Sequence, residues 1–423
     1  MAVLSDFFSG GRRPLRLTRD LEGLTDADRD FARELVLGVL RRRSALDAEI
    51  SRFSRFPLER LKPPLREILE TALYQVRFLD RVPTRAAVHE AVAMARALSG
   101  EGASRLANGV LRSALREPAR VPPGETARDL AEAFSHPLFL VERWIARFGI
   151  ARTRSILSAD DERSRLHLLC DGRRSRREDV AAELEEQGVE TAPLAVVENG
   201  LEVLSGNPLR TAAFEKGAFY VADGGSQALP SLLPPGDLLL DLAAAPGGKT
   251  AAALFSERFS RTISADASLD RLGFLAENRA RLDLSRARPV AADVRFPPFP
   301  ERRFDRVLLD APCSGTGTLR KNPEIRYRLT PAAIDALAAA ELRMLRSAAA
   351  LVAPGGYLLY STCSLEEEEN ERVAASLTAA DPSIVLVPID PPEALRSRVS
   401  GAVFRLYPDE GTDGFTAHLF RRE

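Results

Sequence analysis

The chain has 423 residues, of which 45% are hydrophobic and 28% are charged, and its net charge is −1. These values are typical of a soluble globular protein of two or three domains, and no apolar run reaches the roughly 20 residues of a membrane span. Three cysteines are too few for a disulfide framework, and residues 1–11 lack the pattern of a signal peptide. We therefore expect a cytoplasmic protein that does not associate with membranes.

The first third of the chain carries helical periodicity. A helix is predicted over residues 25–43, with Thr25 and Asp28 as an N-cap pair. Further helices are predicted over residues 65–76, 88–98 and 106–115. Prolines and a glycine at residues 118–124 mark a boundary, so we predict an all-α domain over residues 1–125. The run Arg41-Arg42-Arg43 is more typical of a solvated helix end than of a phosphate contact.

The middle of the chain, residues 126–225, mixes helical and strand patterns. A helical linker that contains Trp144 precedes a small α/β module, with strands near residues 164–171 and 200–204 around a helix. The basic run at residues 173–177 favours RNA contact and a solvated helix start equally. Cys170, inside the first of these strands, is predicted to be an inert core thiol.

Strands and helices alternate over the rest of the chain, residues 226–423. This order predicts a mostly parallel sheet with helices on both faces, in which ligands bind at the carboxyl ends of the strands. Chemically active side chains fall at these predicted ends, namely Asp241, Asp266, Asp293, Asp310 and Cys363. The coincidence predicts a functional site at that edge of the sheet.

A turn of small residues follows the strand that ends at Asp241. It comprises Ala243, Ala244, Ala245, Pro246, Gly247, Gly248 and Lys249. Such a turn places backbone N–H groups and a helix N-terminus beside a ligand. A P-loop needs glycine where Ala243 stands, so a nucleoside cofactor is favoured over a nucleoside triphosphate, and a turn without a ligand is the alternative. Asp266 is placed for ribose hydroxyls and Asp293 for the base, although each aspartate alone could cap a helix.

Two cysteines follow neighbouring strands, in Asp310-Ala-Pro-Cys313 and in Thr362-Cys363-Ser364. Zinc needs three or four ligands and the histidines are scattered, so no metal site is expected. A thiolate and a carboxylate beside a methyl donor suit methylation at carbon 5 of a pyrimidine, because a thiolate that adds at carbon 6 makes carbon 5 nucleophilic. The acidic run Glu366–Glu369 is predicted to be a solvated helix start.

These motifs resemble those of the RNA cytosine-C5 methyltransferases that use S-adenosylmethionine. The resemblance implies a Rossmann-like class I methyltransferase domain, with Cys363 as the nucleophile, Cys313 as the thiol that assists product release, and Asp310 as the catalytic carboxylate. It also implies cofactor contacts at Ala243–Lys249, Asp266, Asp293 and Asp310. Many members of that family carry a cysteine where this chain has Ala243.

The helical segments around residues 34–41, 73–83, 86–92 and 108–112 resemble the NusB-type RNA-binding domain, although the first helix of that type is short or missing in Met1–Leu21. A NusB-like domain joined to such a catalytic domain resembles the bacterial RsmB/Sun (Fmu) family. The resemblance implies that a monomer methylates a cytosine of 16S ribosomal RNA, free or in a partly assembled small subunit. The alternatives are a transfer RNA cytosine-C5 methyltransferase, a non-catalytic RNA-binding assembly factor and, less favoured, a P-loop ATPase.

Overall fold

The computed structural model describes residues 2–8, 23–118 and 124–423. The chain forms two compact units. The helical unit comprises Met1–Glu162 with Leu319–Arg328, and the sheet unit comprises Arg163–Thr318 with Leu329–Glu423. Within the described ranges, no helix combines the length and the apolar character needed to cross a membrane.

The helical unit is built from helices, as the apolar periodicity predicts. They are α1 (Ala2–Phe8), α2 (Asp26–Phe53), α3 (Leu65–Phe78), α4 (Thr84–Arg116), α5 (Ala127–Ala133) and α6 (Leu138–Asp160). The Thr25 hydroxyl accepts a hydrogen bond from the backbone N–H of Asp28 at 3.2 Å, which confirms the predicted N-cap. Trp144 of α6 is fully buried, as predicted.

Helix α2 does not end at the arginine run, so the prediction of a solvated helix end at Arg41–Arg43 is wrong. The side chain of Arg43 is buried, and its Nε donates to Glu70 at 2.9 Å. Burial raises the pKa of Glu70 to about 8, although two neighbouring arginines lower it. The helix continues because Leu46 and Ile50 extend the apolar face beyond the charges.

The two helices predicted between residues 88 and 115 form a single element, α4, with a kink at Gly100, where φ is 83°. Glycine tolerates this left-handed backbone because it has no Cβ. Leu98, which the periodicity placed on the apolar face, lies beside the kink and is 58% exposed. Helix α1 has seven residues. The rest of the expectation for Met1–Leu21 and most of the predicted proline boundary lie outside the described residues.

The segment Leu319–Arg328 folds with the helical unit, although it follows the Asp310–Gly317 motif in sequence. The buried guanidinium of Arg326 donates to the carbonyl oxygens of Arg41 and Phe134 at 3.0 Å and of Asp160 at 2.9 Å. These bonds satisfy a buried charge through backbone acceptors, as a stable interior requires.

In the sheet unit, the predicted small α/β module contains a four-stranded antiparallel sheet. Its strands are β1 (His167–Cys170), β2 (Glu190–Pro193), β3 (Gly200–Ser205) and β4 (Phe219–Val221), in the order β2-β3-β1-β4, with helices α7 (Arg177–Glu186) and α8 (Ala212–Glu215). Cys170 is fully buried, as predicted, and burial raises the pKa of its thiol to about 12. The arginines of the basic run all form ion pairs, with Asp171, Asp283 or Glu178.

The large sheet of the same unit has a parallel centre, as predicted. Its first strands are β5 (Gly236–Leu242), β6 (Phe259–Asp266), β7 (Ala287–Ala291), β8 (Phe304–Asp310) and β9 (Val352–Thr362). An antiparallel extension that the strand pattern did not predict consists of β10 (Ile384–Leu386), β11 (Val399–Ser400), β12 (Val403–Leu406) and β13 (Phe415–Arg422). The order is β11-β12-β13-β9-β8-β5-β6-β7, and β10 pairs with β13.

Both faces of the large sheet are buried. Leu240 and Leu309 belong to one apolar cluster, whereas Leu239 and Leu308 belong to another. This alternation explains the continuous apolar runs of the central strands. The helices of this part are α9 (Gly224–Ala228), α10 (Gly248–Phe255), α11 (Leu269–Arg281), α12 (Pro331–Leu351) and α13 (Glu371–Ala380).

Strand β5 lies between β6 and β8, so the chain builds the sheet outward in one direction through β6 and β7 and then returns to add β8 and β9 on the other side. A parallel sheet with this reversal has a crevice at the carboxyl ends of the two strands where the order changes. The topology therefore places the most probable ligand site beside the ends of β5 and β8.

The buried contacts of Arg326 generate a prediction about stability. Arg326→Met leaves the buried carboxylate of Asp161 with only Arg42 as a cation and removes a donor from three carbonyl groups. We expect the free energy of unfolding of the helical unit to fall by about 3 kcal/mol. Trp144 is the single tryptophan of the chain and lies in this unit, so its fluorescence during urea unfolding measures the change.

The control for this measurement is Arg81→Met, because Arg81 is an exposed arginine of the same unit. Its loss should change the urea midpoint little. Equal midpoints for the Arg326 and Arg81 variants would contradict the stabilising role of the Arg326 contacts.

Candidate active site

The register of strands β8 and β9 brings the two predicted thiols together. Asp310 at the end of β8 lies beside Ser361 of β9, and each cysteine follows its strand by a few residues. The backbone N–H of Gly317 donates to the carbonyl oxygen of Cys363 at 2.9 Å, which joins the two loops. The Sγ atoms of Cys313 and Cys363 lie 3.3 Å apart, and both side chains are half-buried.

The contact between the two sulfur atoms affects the ionisation of Cys313. The hydrogen bond with Cys363, followed by burial, raises the pKa of the Cys313 thiol well above its usual range. Cys313 therefore holds its proton at neutral pH while Cys363 lies beside it.

An ion pair joins the glycine-rich turn to the end of β8. Lys249 Nζ lies 2.5 Å from Asp310 Oδ2, and Asp310 Oδ1 accepts a hydrogen bond from Ser361 Oγ at 2.8 Å. Burial is the largest effect and lowers the pKa of Lys249, but attraction and hydrogen bonding to Asp310, together with Asp241 and Cys363, raise the lysine pKa overall. The ammonium therefore stays charged beside the catalytic candidates Asp310 and Cys363.

The predicted cofactor turn, Ala243–Lys249, connects β5 to the first turn of α10. Gly247 is the residue before the helix and has φ of 110°, which favours glycine. A Cβ on Gly248 would lie 3.2 Å from the ring of Tyr220, so the backbone passes this ring closely. The free N–H groups of the first helical turn, together with the helix dipole, make the end of α10 electropositive.

Asp266 and Asp293 follow the next two strands, as predicted. Asp266 is buried, and its Oδ2 accepts from the backbone N–H of Ala245 at 3.2 Å, so it contacts the predicted cofactor turn directly. Asp293 is more exposed and pairs with Arg295 at 2.6 Å, whose hydrogen bonds lower the pKa of this aspartate. Asp266 therefore contacts the turn Ala243–Lys249, whereas Asp293 pairs with Arg295, two residues further along the chain.

Asp241 is a buried carboxyl group to which the family resemblance assigns no role. Its Oδ2 accepts from Thr250 Oγ at 2.7 Å, and burial raises its pKa to about 7. The hydroxyl of Thr250 also bonds Ser264 at 2.9 Å, so this polar cluster connects β5, β6 and α10 beneath the turn.

The acidic run Glu366–Glu369 is not a solvated helix start, so that prediction is wrong. Glu366 and Glu369 are buried, and helix α13 begins only at Glu371. Glu369 accepts hydrogen bonds from the backbone N–H and the hydroxyl of Ser314, at 2.7 and 2.5 Å, and from the hydroxyl of Ser364 at 2.5 Å. These serines directly follow the two cysteines.

The sequence comparisons match three successive segments of the chain. Residues 12–116 match the NusB family, residues 136–210 match the ferredoxin-like domain of RsmF/B-like methyltransferases, and residues 231–421 match the 16S rRNA methyltransferase RsmB/F family. The predicted combination of a NusB-like helical domain, a small α/β module and a Rossmann-like methyltransferase domain is therefore confirmed.

Individual relatives resemble almost the whole chain. The probable ribosomal RNA small subunit methyltransferase B of Bacillus subtilis is 32% identical, over 95% of this chain and 92% of that protein. The protein of the same description from Synechocystis is 36% identical, over 82% of this chain and 80% of that protein. The crystal structure of PH0851 superposes with a TM-score of 0.77 at 26% identity, over 97% and 94% of the two chains.

The thiol pair, the Lys249–Asp310 ion pair and the glycine-rich turn thus occur in a chain whose relatives share its full domain order. At 30–36% identity over most of their lengths, these relatives establish the family. The chain belongs to the RsmB/F family of 16S ribosomal RNA methyltransferases.

Proposed function

We propose that the chain transfers a methyl group from S-adenosylmethionine to carbon 5 of a cytosine in 16S ribosomal RNA, through a covalent bond between Cys363 and carbon 6. The observation that carries this proposal is the 3.3 Å approach of two thiols beside the Lys249–Asp310 ion pair. A hydrolase or a P-loop ATPase has no use for this arrangement, whereas C5 methylation uses each of these groups.

The residues at the ends of β5 and β6 fit a nucleoside cofactor. The turn leads into the N-terminus of α10, and the Asp266 carboxylate is held against that turn by the N–H of Ala245. A carboxylate has about four acceptor positions, so Asp266 retains capacity for ribose hydroxyls. We assign Ala243–Lys249, Asp266, Asp293 and Asp310 to cofactor binding. When bound, S-adenosylmethionine supplies an electrophilic methyl group.

The catalytic roles are those that the family resemblance implies, and the positions of the side chains support them. The Cys363 thiolate adds to carbon 6 of the cytosine, and the ammonium of Lys249 stabilises the negative charge of this sulfur. Asp310, held by Lys249 and Ser361, supports the adduct at N3 by hydrogen bonding or protonation. Carbon 5 then takes the methyl group, and its proton passes to solvent. The electron pair of that C–H bond breaks the bond between carbon 6 and sulfur, which restores the aromatic ring and releases Cys363 as a thiolate, and Cys313 assists this release.

The choice of RNA rests on the family rather than on the site. The relatives that resemble the chain over most of their length are described as methyltransferases of small subunit ribosomal RNA, and the helical unit carries the NusB match. We therefore propose 16S ribosomal RNA as the substrate, free or in a partly assembled subunit.

The covalent mechanism predicts an intermediate that can be trapped. Cys313→Ala protein, incubated with S-adenosylmethionine and 16S ribosomal RNA, should accumulate a protein–RNA adduct on a denaturing gel, because release of the product is slowed while addition at carbon 6 is intact. The adduct should disappear when Cys363→Ala is added. Nucleoside analysis of RNA treated with the wild-type protein should show 5-methylcytidine.

Cys170→Ala is the matched control, since Cys170 is buried in the small module and is the third cysteine of the chain. It should transfer methyl groups without accumulating an adduct. An adduct that survives the loss of Cys363, or no adduct while the wild-type protein methylates RNA, would contradict the thiol roles. Methylation of transfer RNA instead would change the substrate, and no transfer to either RNA would favour a non-catalytic assembly factor.

The position of Lys249 predicts a second effect on activity. Lys249→Ala removes the cation that pairs with Asp310 and interacts with Cys363. We expect kcat/KM for methyl transfer to fall at least about tenfold, which corresponds to about 1.4 kcal/mol of transition-state stabilisation. Lys216→Ala is the control, because the Lys216 ammonium is exposed and pairs only with Glu183. Equal activity of the two variants would remove Lys249 from the site.

A further inference from the structure

The side chain of Glu369 joins the loop that carries Cys313 to the loop that carries Cys363. Glu369 is fully buried and accepts hydrogen bonds from both loops, twice from Ser314 and once from Ser364. Charge-assisted hydrogen bonds of this kind are roughly twice as strong as neutral ones. Because Ser314 follows Cys313 and Ser364 follows Cys363, this carboxylate fixes the backbone on which each thiol is mounted.

A second glutamate beside Glu369 makes the charge of this cluster asymmetric. Glu341 of α12 is also buried, hydrogen-bonds Glu369 and accepts from Tyr360 Oη at 3.2 Å. Burial, followed by repulsion from Glu369, raises the pKa of Glu341 to about 10. Glu341 is therefore neutral at pH 7 and can donate the hydrogen bond that joins it to Glu369.

The charges around the two sulfur atoms differ in sign. The groups that act on Cys313 are Cys363, Glu369, Glu341 and, through its ring hydroxyl, Tyr360, so an anion of Cys313 would meet the anion of Glu369. Cys363 also interacts with Glu341, but it interacts in addition with the ammonium of Lys249, which is paired with Asp310. A like charge in a poorly solvated site disfavours ionisation, whereas an ammonium favours it.

We propose that Glu369 is a positioning residue that holds the two cysteine loops together and places a carboxylate behind Cys313, so that Cys363 rather than Cys313 is the sulfur that attacks. The proposal deepens the proposed function and rests on it for the roles of the thiols. It explains why two sulfur atoms 3.3 Å apart can take different roles. A protonated Cys313 can donate a proton, whereas an ionised Cys313 would compete as a nucleophile.

The test measures the ionisation of each thiol without RNA or S-adenosylmethionine. Iodoacetamide alkylates thiolates, and peptide mass spectrometry separates Cys313 from Cys363, so the pH dependence of each alkylation rate can be followed. Glu369→Gln should shift the Cys313 profile to lower pH by about one unit, which makes alkylation about tenfold faster at a fixed pH below the midpoint. The Cys363 profile should move less.

The matched control is Glu341→Gln, the same chemical change in the same buried pair. Because Glu341 is neutral near pH 7, this variant should leave the rate of Cys313 alkylation at that pH unchanged, whereas Glu369→Gln should raise it. A Cys313 profile that does not move in Glu369→Gln, or that moves equally in both variants, would overturn the proposal. Cys170 serves as an internal measure of folding, since its buried thiol should stay unlabelled in every variant.

The wild-type protein provides a further measurement that does not depend on the folding of a variant. Cys313 should be alkylated with a higher midpoint than Cys363, and the reverse order would overturn the proposal. Absence of methyl transfer in the earlier assays would contradict the proposed function, yet these alkylation profiles would still decide which thiol Glu369 keeps protonated.

Discussion

The contact between Lys249 and Asp310 is the interaction on which the site depends. Both side chains are largely removed from water, and two charges in such a position are costly unless they are paired. The pair connects the first turn of α10 to the end of β8, and Ser361 connects the same carboxylate to β9. The turn between β5 and α10 and the two cysteine loops are therefore parts of one constellation.

Features that depend on local chemistry could be predicted from the sequence. The predicted alternation of strands and helices includes α11 and α12, whose first turns are capped by the side chains of Ser268 and Thr330. The strand ends that carry Asp241, Asp266 and Asp310 were predicted for a similar reason. A parallel sheet brings the carboxyl ends of its strands to one edge, so position along the strand is enough to group these side chains.

Features that depend on distant partners could not be predicted. The runs Arg41–Arg43 and Glu366–Glu369 resemble solvated charge clusters when only neighbouring residues are considered. Arg43 is buried against Glu70, which is 27 residues away in the sequence. Glu369 is buried against Ser314, which is 55 residues away. No local pattern in the run Glu366–Glu369 indicates that Glu369 is the residue that accepts three hydrogen bonds. The antiparallel strands β10, β11 and β12 were missed because each has only two to four residues.

The segment Leu319–Arg328, which follows the Cys313 loop, limits where the chain can be cut into separately folding parts. Leu319–Arg328 belongs to the helical unit, where the buried Arg326 donates to carbonyl groups of α2, α6 and the residue after α5. A chain cut after Glu162 would leave this guanidinium without those acceptors, and an unpaired buried charge costs several kcal/mol. The loop that bears Cys313 is therefore continuous with a segment that requires the helical unit to fold. Removal of the NusB-like part would therefore also remove Arg41, whose carbonyl oxygen is one of the acceptors that hold Arg326 in the helical unit.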